Sequence, residues 1–104
     1  MDLPRVSCIM ITYNKFKPFK RAIRSFVNQT YKNKELIIVN SGDQKYIDKV
    51  KRFLYGEEGI CNKKKLDIHH IRVDKATLGE LRNIAIEYST GQYVMVFDDD
   101  DIHH

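Results

Sequence analysis

Short apolar runs alternate with amphipathic stretches along this chain. β-prone apolar residues fill positions 6–11 and 35–39, and two further apolar runs lie within residues 66–73 and 93–97. Runs of this length, bounded by polar turns, are typical of strands that are buried on both faces of a parallel sheet. The four runs therefore predict four buried strands.

Apolar residues recur at helical spacing between the predicted strands. Pro18 suits the first turn of the first helix, Gly56 ends the second, and Thr77 with Glu80 predicts a capping box at the start of the third. Residues 57–65 predict a polar loop. The apolar positions are Phe19, Ala22, Ile23, Phe26 and Val27 in the first helix, Ile47, Val50, Phe53 and Leu54 in the second, and Leu78, Leu81, Ile84, Ala85 and Tyr88 in the third.

The predicted order of elements is βαβαβαβ. Crossovers of this length between buried strands imply parallel pairing and right-handed connections. The expected fold is α/β, a Rossmann-like, mostly parallel sheet with helices on both faces. A length of 104 residues suits one domain, residues 1–104, and leaves no room for a second.

Charge and cysteine content narrow the class of protein. The net charge of +4 fits an anionic substrate such as a nucleotide diphosphate, peripheral association with an anionic membrane, or solubility alone. Binding of nucleic acid is not predicted, because the sequence lacks the mixture of aromatic and basic residues that usually forms an RNA-binding surface. Cys8 and Cys61 are expected to be free thiols. The free thiols, together with the lack of a basic and apolar signal segment after Met1, predict a cytoplasmic protein.

Polar segments follow three of the predicted strands, at residues 12–14, 40–43 and 98–101. In open α/β sheets, ligands bind beyond the carboxyl ends of the strands. Because parallel strands bring these ends to one edge, the sequence predicts a ligand site built from the three segments.

The last of these segments contains four consecutive aspartates, residues 98–101. Neighbouring carboxylates repel one another, and hard oxygen ligands suit Mg²⁺ or Mn²⁺. In an extended segment Asp98 and Asp100 point to one side, so only part of the cluster can bind one ion. A solvated acidic segment is the alternative. His103 and His104 either add a ligand or belong to a solvated terminus.

The usual glycine-rich phosphate-binding motifs are missing. No G-x-G-x-x-G follows the first strand, and no G-x-x-x-x-G-K-[ST] occurs. Phosphate binding must then depend on a metal ion and on basic side chains. Arg82 in the third predicted helix is one candidate, with a surface ion pair as the alternative.

Four segments, in order and at fitting spacing, resemble glycosyltransferase family 2, an inverting family with the GT-A fold. Residues 6–14 read V-S-C-I-M-I-T-Y-N, close to V-S-V-I-I-P-T-Y-N. Residues 25–31 resemble S-x-x-x-Q-T-Y, and residues 79–83 resemble G-x-x-R-N. Residues 90–101 resemble G-E-Y-I-x-F-L-D-x-D-D. The resemblance covers almost the whole chain.

This resemblance implies roles for particular residues. The donor would be a nucleotide sugar, most often a UDP-sugar, and the acceptor a saccharide or other hydroxyl. Mn²⁺ or Mg²⁺ would neutralise the leaving diphosphate. The nucleotide-sugar contacts would come from Thr12, Tyr13, Asn14, Ser41, Arg82, Asp98 and Asp99, and the metal ligands from Asp98 and Asp100.

The chain departs from the family pattern in two respects. Where the family has V-D-D-G-S, residues 39–43 read V-N-S-G-D, so Ser41 stands in place of the acid that contacts the base. Besides a UDP-sugar, thymidine or guanosine donors, or weaker nucleotide binding, stay open. In the family the general base lies downstream of the D-x-D, so here it is expected beyond His104. The parent protein is thus expected to be the transferase, and the alternative is a catalytically incomplete module that binds a nucleotide or partner. A nucleotidyltransferase would need a glycine- and arginine-rich first loop, which T-Y-N-K is not.

Overall fold

A computed structural model describes residues 4–63, 66–74 and 76–96. Strands and helices alternate, as the apolar pattern predicts. The one added element is the short α3 within the predicted loop. The elements are β1 (Val6–Thr12), α1 (Phe16–Asn28), β2 (Lys34–Asn40), α2 (Gln44–Tyr55), α3 (Ile60–Lys63), β3 (Ile68–Arg72), α4 (Leu78–Tyr88) and β4 (Tyr93–Val96).

The strands form a parallel sheet in the order β3-β2-β1-β4. β1 pairs with β2 along its whole length, so that Thr12 lies opposite Asn40. On its other side β1 pairs with β4, and Ile9 lies opposite Val96. The chain therefore moves outward from β1 to β3 and then crosses back to β4. The predicted Rossmann-like α/β fold is confirmed, and its topological switch point lies between β1 and β4.

Helices cover both faces of the sheet. α1 and α2 pack on one face, and α4 packs on the other. The first core contains Cys8, Met10, Phe19, Ala22, Ile23, Phe26, Leu36, Ile38, Tyr46, Val50, Leu54 and Ile68. The second contains Ile9, Ile37, Val39, Leu81 and Ala85. Burying this apolar surface is the main stabilising contribution to the fold.

The start of α4 confirms the predicted capping box. The Thr77 hydroxyl accepts a hydrogen bond from the Glu80 backbone N–H at 3.2 Å. The Glu80 carboxylate accepts one from the Thr77 backbone N–H at 2.9 Å. The predicted apolar face of this helix is narrower than expected, because Leu78 and Tyr88 are exposed at its two ends.

The prediction that β4 is a buried strand is wrong for the described residues. Its four side chains are between 45% and 62% exposed. Within the described ranges β4 is an edge strand that pairs only with β1, so its apolar side chains find few neighbours. Cys8 is buried and Cys61 partly buried, and both are free thiols, as predicted. No helix in the described ranges is long and apolar enough to cross a membrane.

Candidate functional site

Hydrogen bonds join the loops that follow β1 and β2. The Ser41 backbone N–H donates to the Thr12 carbonyl oxygen at 3.1 Å. The Asp43 backbone N–H donates to the side-chain oxygen of Asn14 at 3.0 Å. Two of the three segments predicted to form the site therefore lie side by side at the carboxyl edge of the sheet.

Two positions in these loops accept few residue types, one because of its backbone conformation and the other because of the space around it. Asn14 has a φ of 51°, in the left-handed region that asparagine tolerates better than most residues. Gly42 lies so close to its neighbours that a Cβ there would be 2.5 Å from the Tyr46 ring and 2.7 Å from the Asn14 side-chain oxygen. Its backbone N–H donates to the Asn40 side-chain oxygen at 2.9 Å. The loop geometry thus depends on the residue types at positions 14 and 42.

The predicted nucleotide contacts of the first loop differ in accessibility. Thr12 is 1% exposed, and its hydroxyl is hydrogen-bonded to the Tyr46 hydroxyl. The Tyr46 hydroxyl also donates to the Lys15 carbonyl oxygen at 3.3 Å. By contrast, Tyr13 is 59% exposed. In this arrangement the Tyr13 ring can meet a ligand directly, whereas Thr12 holds the loop in place.

A cavity of about 490 Å³ lies beside these loops, at the start of α2. This volume is within the usual range for small-molecule sites. The Asp43 side chain caps α2 by accepting from the Tyr46 N–H at 2.9 Å. The three cations among the lining residues make the cavity suitable for an anion. The cavity is lined by Asn14, Asp43, Lys45, Tyr46, Lys49 and Arg52.

The buried Asn40 and the partly buried His70 form a polar pair beneath the second loop. The Asn40 amide nitrogen donates to Nε2 of His70 at 3.1 Å, which assigns the proton of the neutral ring to Nδ1. Burial and the nearby charge of Lys51 lower the pKa of His70 to about 4. His70 is therefore neutral at physiological pH and supports the Asn40 side chain that holds Gly42.

Two further predicted contacts lie in the described part of the chain. Ser41 is half-buried between the two joined loops, and Arg82 is half-buried in the second turn of α4. Asp98, Asp99 and Asp100, together with Asp101, His103 and His104, lie outside the described residues. Their roles as metal and diphosphate contacts stay predictions.

At the opposite, amino edge of the sheet lies a cluster that was not anticipated from the sequence. Ligand atoms of Glu35, Asp67 and His69 lie within 4.8 Å of one another, which is close enough to hold a metal ion. However, the Arg5 guanidinium already contacts both carboxylates, 3.3 Å from Glu35 and closer to Asp67. Because a cation already neutralises the two acids, the donor set fits a structural ion-pair network better than a metal centre.

Glu35 is the centre of this network and is only 2% exposed. Its carboxylate accepts hydrogen bonds from the Ser7 hydroxyl at 2.6 Å and from the Thr90 backbone N–H at 2.7 Å. Burial alone would raise the pKa of Glu35, but the hydrogen bonds from Ser7, Thr90 and Arg5 outweigh it, and the pKa is lowered. The signal in the sequence was a charged residue within an apolar strand, which demands buried partners.

The fold and the site define a Rossmann-like α/β domain with a polar cleft at the carboxyl ends of its central strands. The model of the family described as Glycosyl transferase family 2 matches residues 7–104. The chain belongs to this family.

Curated relatives are longer than this chain. An uncharacterized glycosyltransferase of Rickettsia bellii is 31% identical over 98 residues, which cover 94% of this chain and 13% of the relative. One of Methanocaldococcus jannaschii is 32% identical over 108 residues, which cover 98% of this chain and 34% of the relative. The chain thus spans well under half of these relatives.

Solved structures share the fold. A mannosyltransferase of Pyrobaculum calidifontis, in complex with GDP-Man and Mn²⁺, superposes with a TM-score of 0.78 at 22% identity. The alignment covers 93% of this chain and 28% of that protein. TarS of S. aureus superposes with a TM-score of 0.70 at 20% identity, over 92% of this chain and 16% of that protein. These similarities identify the domain as GT-A-like in fold.

Proposed function

We propose that this domain binds the donor of a glycosyltransferase, and that the parent protein transfers a sugar from a nucleotide-diphosphate sugar to an acceptor hydroxyl with inversion. The switch point between β1 and β4 carries this proposal. A crevice opens at such a point because the helices on its two sides leave the sheet in opposite directions. Tyr13 follows β1 and is 59% exposed, so it could reach a ligand in such a crevice, and family membership supports a sugar nucleotide as that ligand.

The metal part of the proposal concerns Asp98 and Asp100. In the sequence they come shortly after β4, beyond Phe97, and β4 pairs with β1. Carboxylates are the ligands that Mn²⁺ and Mg²⁺ prefer, and the P. calidifontis protein of the same fold is in complex with GDP-Man and Mn²⁺. When bound, the cation would supply charge neutralisation at the leaving diphosphate.

The remaining predicted contacts divide between the base and the diphosphate. Tyr13, the exposed aromatic residue of the first loop, would pack near the base. Ser41 would contact the base edge, with a UDP-sugar as the proposed donor. Arg82 on α4 would lie near the diphosphate or the sugar. The proposal includes a cytoplasmic location, which the two free thiols support.

Calorimetry with UDP and GDP, with and without Mn²⁺, tests the proposal. We expect metal-dependent binding that Asp100→Asn weakens by at least tenfold, since the variant loses a charged ligand. Asp67→Asn is the matched control, because it removes one carboxylate from the cluster at the amino edge. Loss of binding in Asp67→Asn but not in Asp100→Asn would refute the assignment.

The alternative is a module that binds a nucleotide or partner without catalysing transfer. Ser41 in place of an acid is the observation that favours it. Turnover of UDP-sugars by the parent protein distinguishes the two functions. Sugar transfer with inversion supports the enzyme, whereas tight nucleotide binding with neither transfer nor donor hydrolysis supports the module.

A further inference from the structure

The positive charge of the chain is concentrated on one face of the molecule. α1 and α2, which cover the same side of the sheet, together carry eight lysine and arginine residues and one acid, Asp48. α4 on the other side carries Arg82 and two glutamates. We call the outer surface of α1 and α2 the basic face. Its exposed cations are Lys17, Arg21, Arg24, Lys45, Lys49, Lys51 and Arg52.

Cations outnumber acids on this face, although Glu57 and Glu58 lie along the same groove as Arg24 and Arg52. Apart from Lys49, whose ammonium group lies over the Phe16 ring, these cations form no ion pair or ring contact within the described ranges. The single acid, Asp48, accepts a hydrogen bond from the neutral Gln44 side chain at 2.8 Å. Concentrated like charge destabilises a compact state, and it attracts an anionic partner.

The basic face also has an apolar floor. The half-buried rings of Phe16 and Phe53 meet edge to face with centroids 5.8 Å apart. The ammonium groups of Lys20 and Lys49 each lie 5.0 Å from the Phe16 ring centroid. A groove of about 720 Å³ opens here, with Ile60 in its lining. The other residues along it are Arg24, Arg52, Gly56, Glu57 and Glu58.

We propose that the basic face docks on the surface of an anionic lipid bilayer. Lysine and arginine stems lie along apolar surface while their charged ends reach lipid phosphates, and half-buried aromatic rings suit the headgroup region. Single-stranded nucleic acid fits this surface less well, because it needs open aromatic faces for stacking and Phe16 already contacts two ammonium groups. This inference does not depend on the proposed function.

Flotation of the protein with lipid vesicles tests the electrostatic part. We expect binding to equal parts phosphatidylcholine and phosphatidylglycerol, and none to phosphatidylcholine alone. Each basic residue near an anionic surface contributes about fivefold to binding, so Arg24→Gln/Arg52→Gln should bind roughly 25-fold more weakly. Lys32→Gln/Arg72→Gln removes the same charge from exposed sites outside α1 and α2 and should change binding much less. Equal losses in both double variants would overturn the proposal.

A fluorescent reporter tests the geometry independently of charge removal. The chain contains no tryptophan, so Phe16→Trp introduces a single reporter on the basic face. Tyr88→Trp introduces a matched reporter on α4, on the other side of the sheet. Anionic vesicles should shift the emission of Phe16→Trp to the blue and leave that of Tyr88→Trp unchanged. A shift only in Tyr88→Trp, or tight binding of a single-stranded oligonucleotide with no binding of vesicles, would contradict docking of this face on lipid.

Discussion

The backbone N–H of Asp43 donates a hydrogen bond to the side-chain oxygen of Asn14 over 3.0 Å. This bond joins the loops after β1 and β2, which are 29 residues apart in the sequence. Asn14 reaches this position with a φ of 51°. The shape of the predicted site therefore depends on one asparagine whose backbone and side chain are both constrained.

Two substitutions of Asn14 separate the contribution of its side-chain hydrogen bond from that of its left-handed backbone. Asn14→Ala removes the hydrogen bond, which costs about 1 kcal/mol of stability. It also leaves alanine in the left-handed region without a side-chain hydrogen bond to offset the strain, which costs about 1 kcal/mol more. Asn14→Gly loses the bond but adopts this φ freely. We expect the free energy of unfolding, measured with urea, to fall further in Asn14→Ala than in Asn14→Gly. Equal values would contradict a strained backbone at this position.

Glu35 should stabilise the fold only while it is ionised. Its lowered pKa means that the unfolded chain, with an ordinary value of 4.5, binds the proton more tightly. Its contribution is complete above pH 4.5 and is lost as the pH falls through the lowered folded-state pKa. Glu35→Gln should lower the free energy of unfolding by about 2 kcal/mol at neutral pH, because Ser7, Thr90 and Arg5 lose a charged acceptor.

Urea denaturation at several pH values checks this prediction. The difference between the natural chain and Glu35→Gln should shrink in acid. Glu87→Gln, on the exposed side of α4, is the control and should stay within about 0.5 kcal/mol of the natural chain. A Glu35→Gln difference that is independent of pH would show that the carboxylate charge is not what stabilises this network.

His70 should make the fold sensitive to pH in a higher window. Its pKa is about 4 in the folded protein against an ordinary 6.5, so the unfolded chain takes up the proton first. Stability is therefore greatest above pH 6.5 and falls, by up to about 3 kcal/mol, as the pH is lowered to 4. His70→Gln should remove this slope. An NMR titration that places the His70 pKa near 6.5 would contradict a partly buried ring that is neutral at physiological pH.

The residue at position 41 should affect which nucleobase the domain prefers. Restoring the acid of the family pattern with Ser41→Asp should raise the affinity for UDP relative to GDP by about tenfold, since a hydrogen bond to a charged group contributes about 1.5 kcal/mol or more. Ser41→Ala controls for loss of the hydroxyl. Calorimetry with both nucleotides measures the ratio. An unchanged ratio in Ser41→Asp would mean that this residue does not contact the base.

Local chemistry explains what could be predicted from the sequence. The capping box of Thr77 and Glu80 lies within one helical turn, and Gly56 follows the last residue of α2. Apolar periodicity likewise located β1, β2 and the cores beneath α1 and α2. These features depend on neighbours in sequence, so the pattern of residue types is sufficient to predict them.

Features that depend on strand order could not be predicted in this way. Glu35 meets Ser7 and Thr90, which are 28 and 55 residues away, only because β1 lies between β2 and β4. The exposure of β4 also follows from its place at the edge of the described sheet, not from its apolar sequence. The pairing of Asn14 with Asp43 required the register of β1 against β2.

Binding of Mn²⁺ at the carboxyl edge is the central claim, and paramagnetic broadening of backbone amide NMR signals tests it most directly. In the presence of a nucleoside diphosphate, Mn²⁺ should broaden the signals of Tyr13, Ser41 and Val96 while those of Asp67 and His69 stay sharp. Broadening at Asp67 and His69, with Tyr13 and Ser41 unaffected, would place the cation at the amino edge and contradict the account.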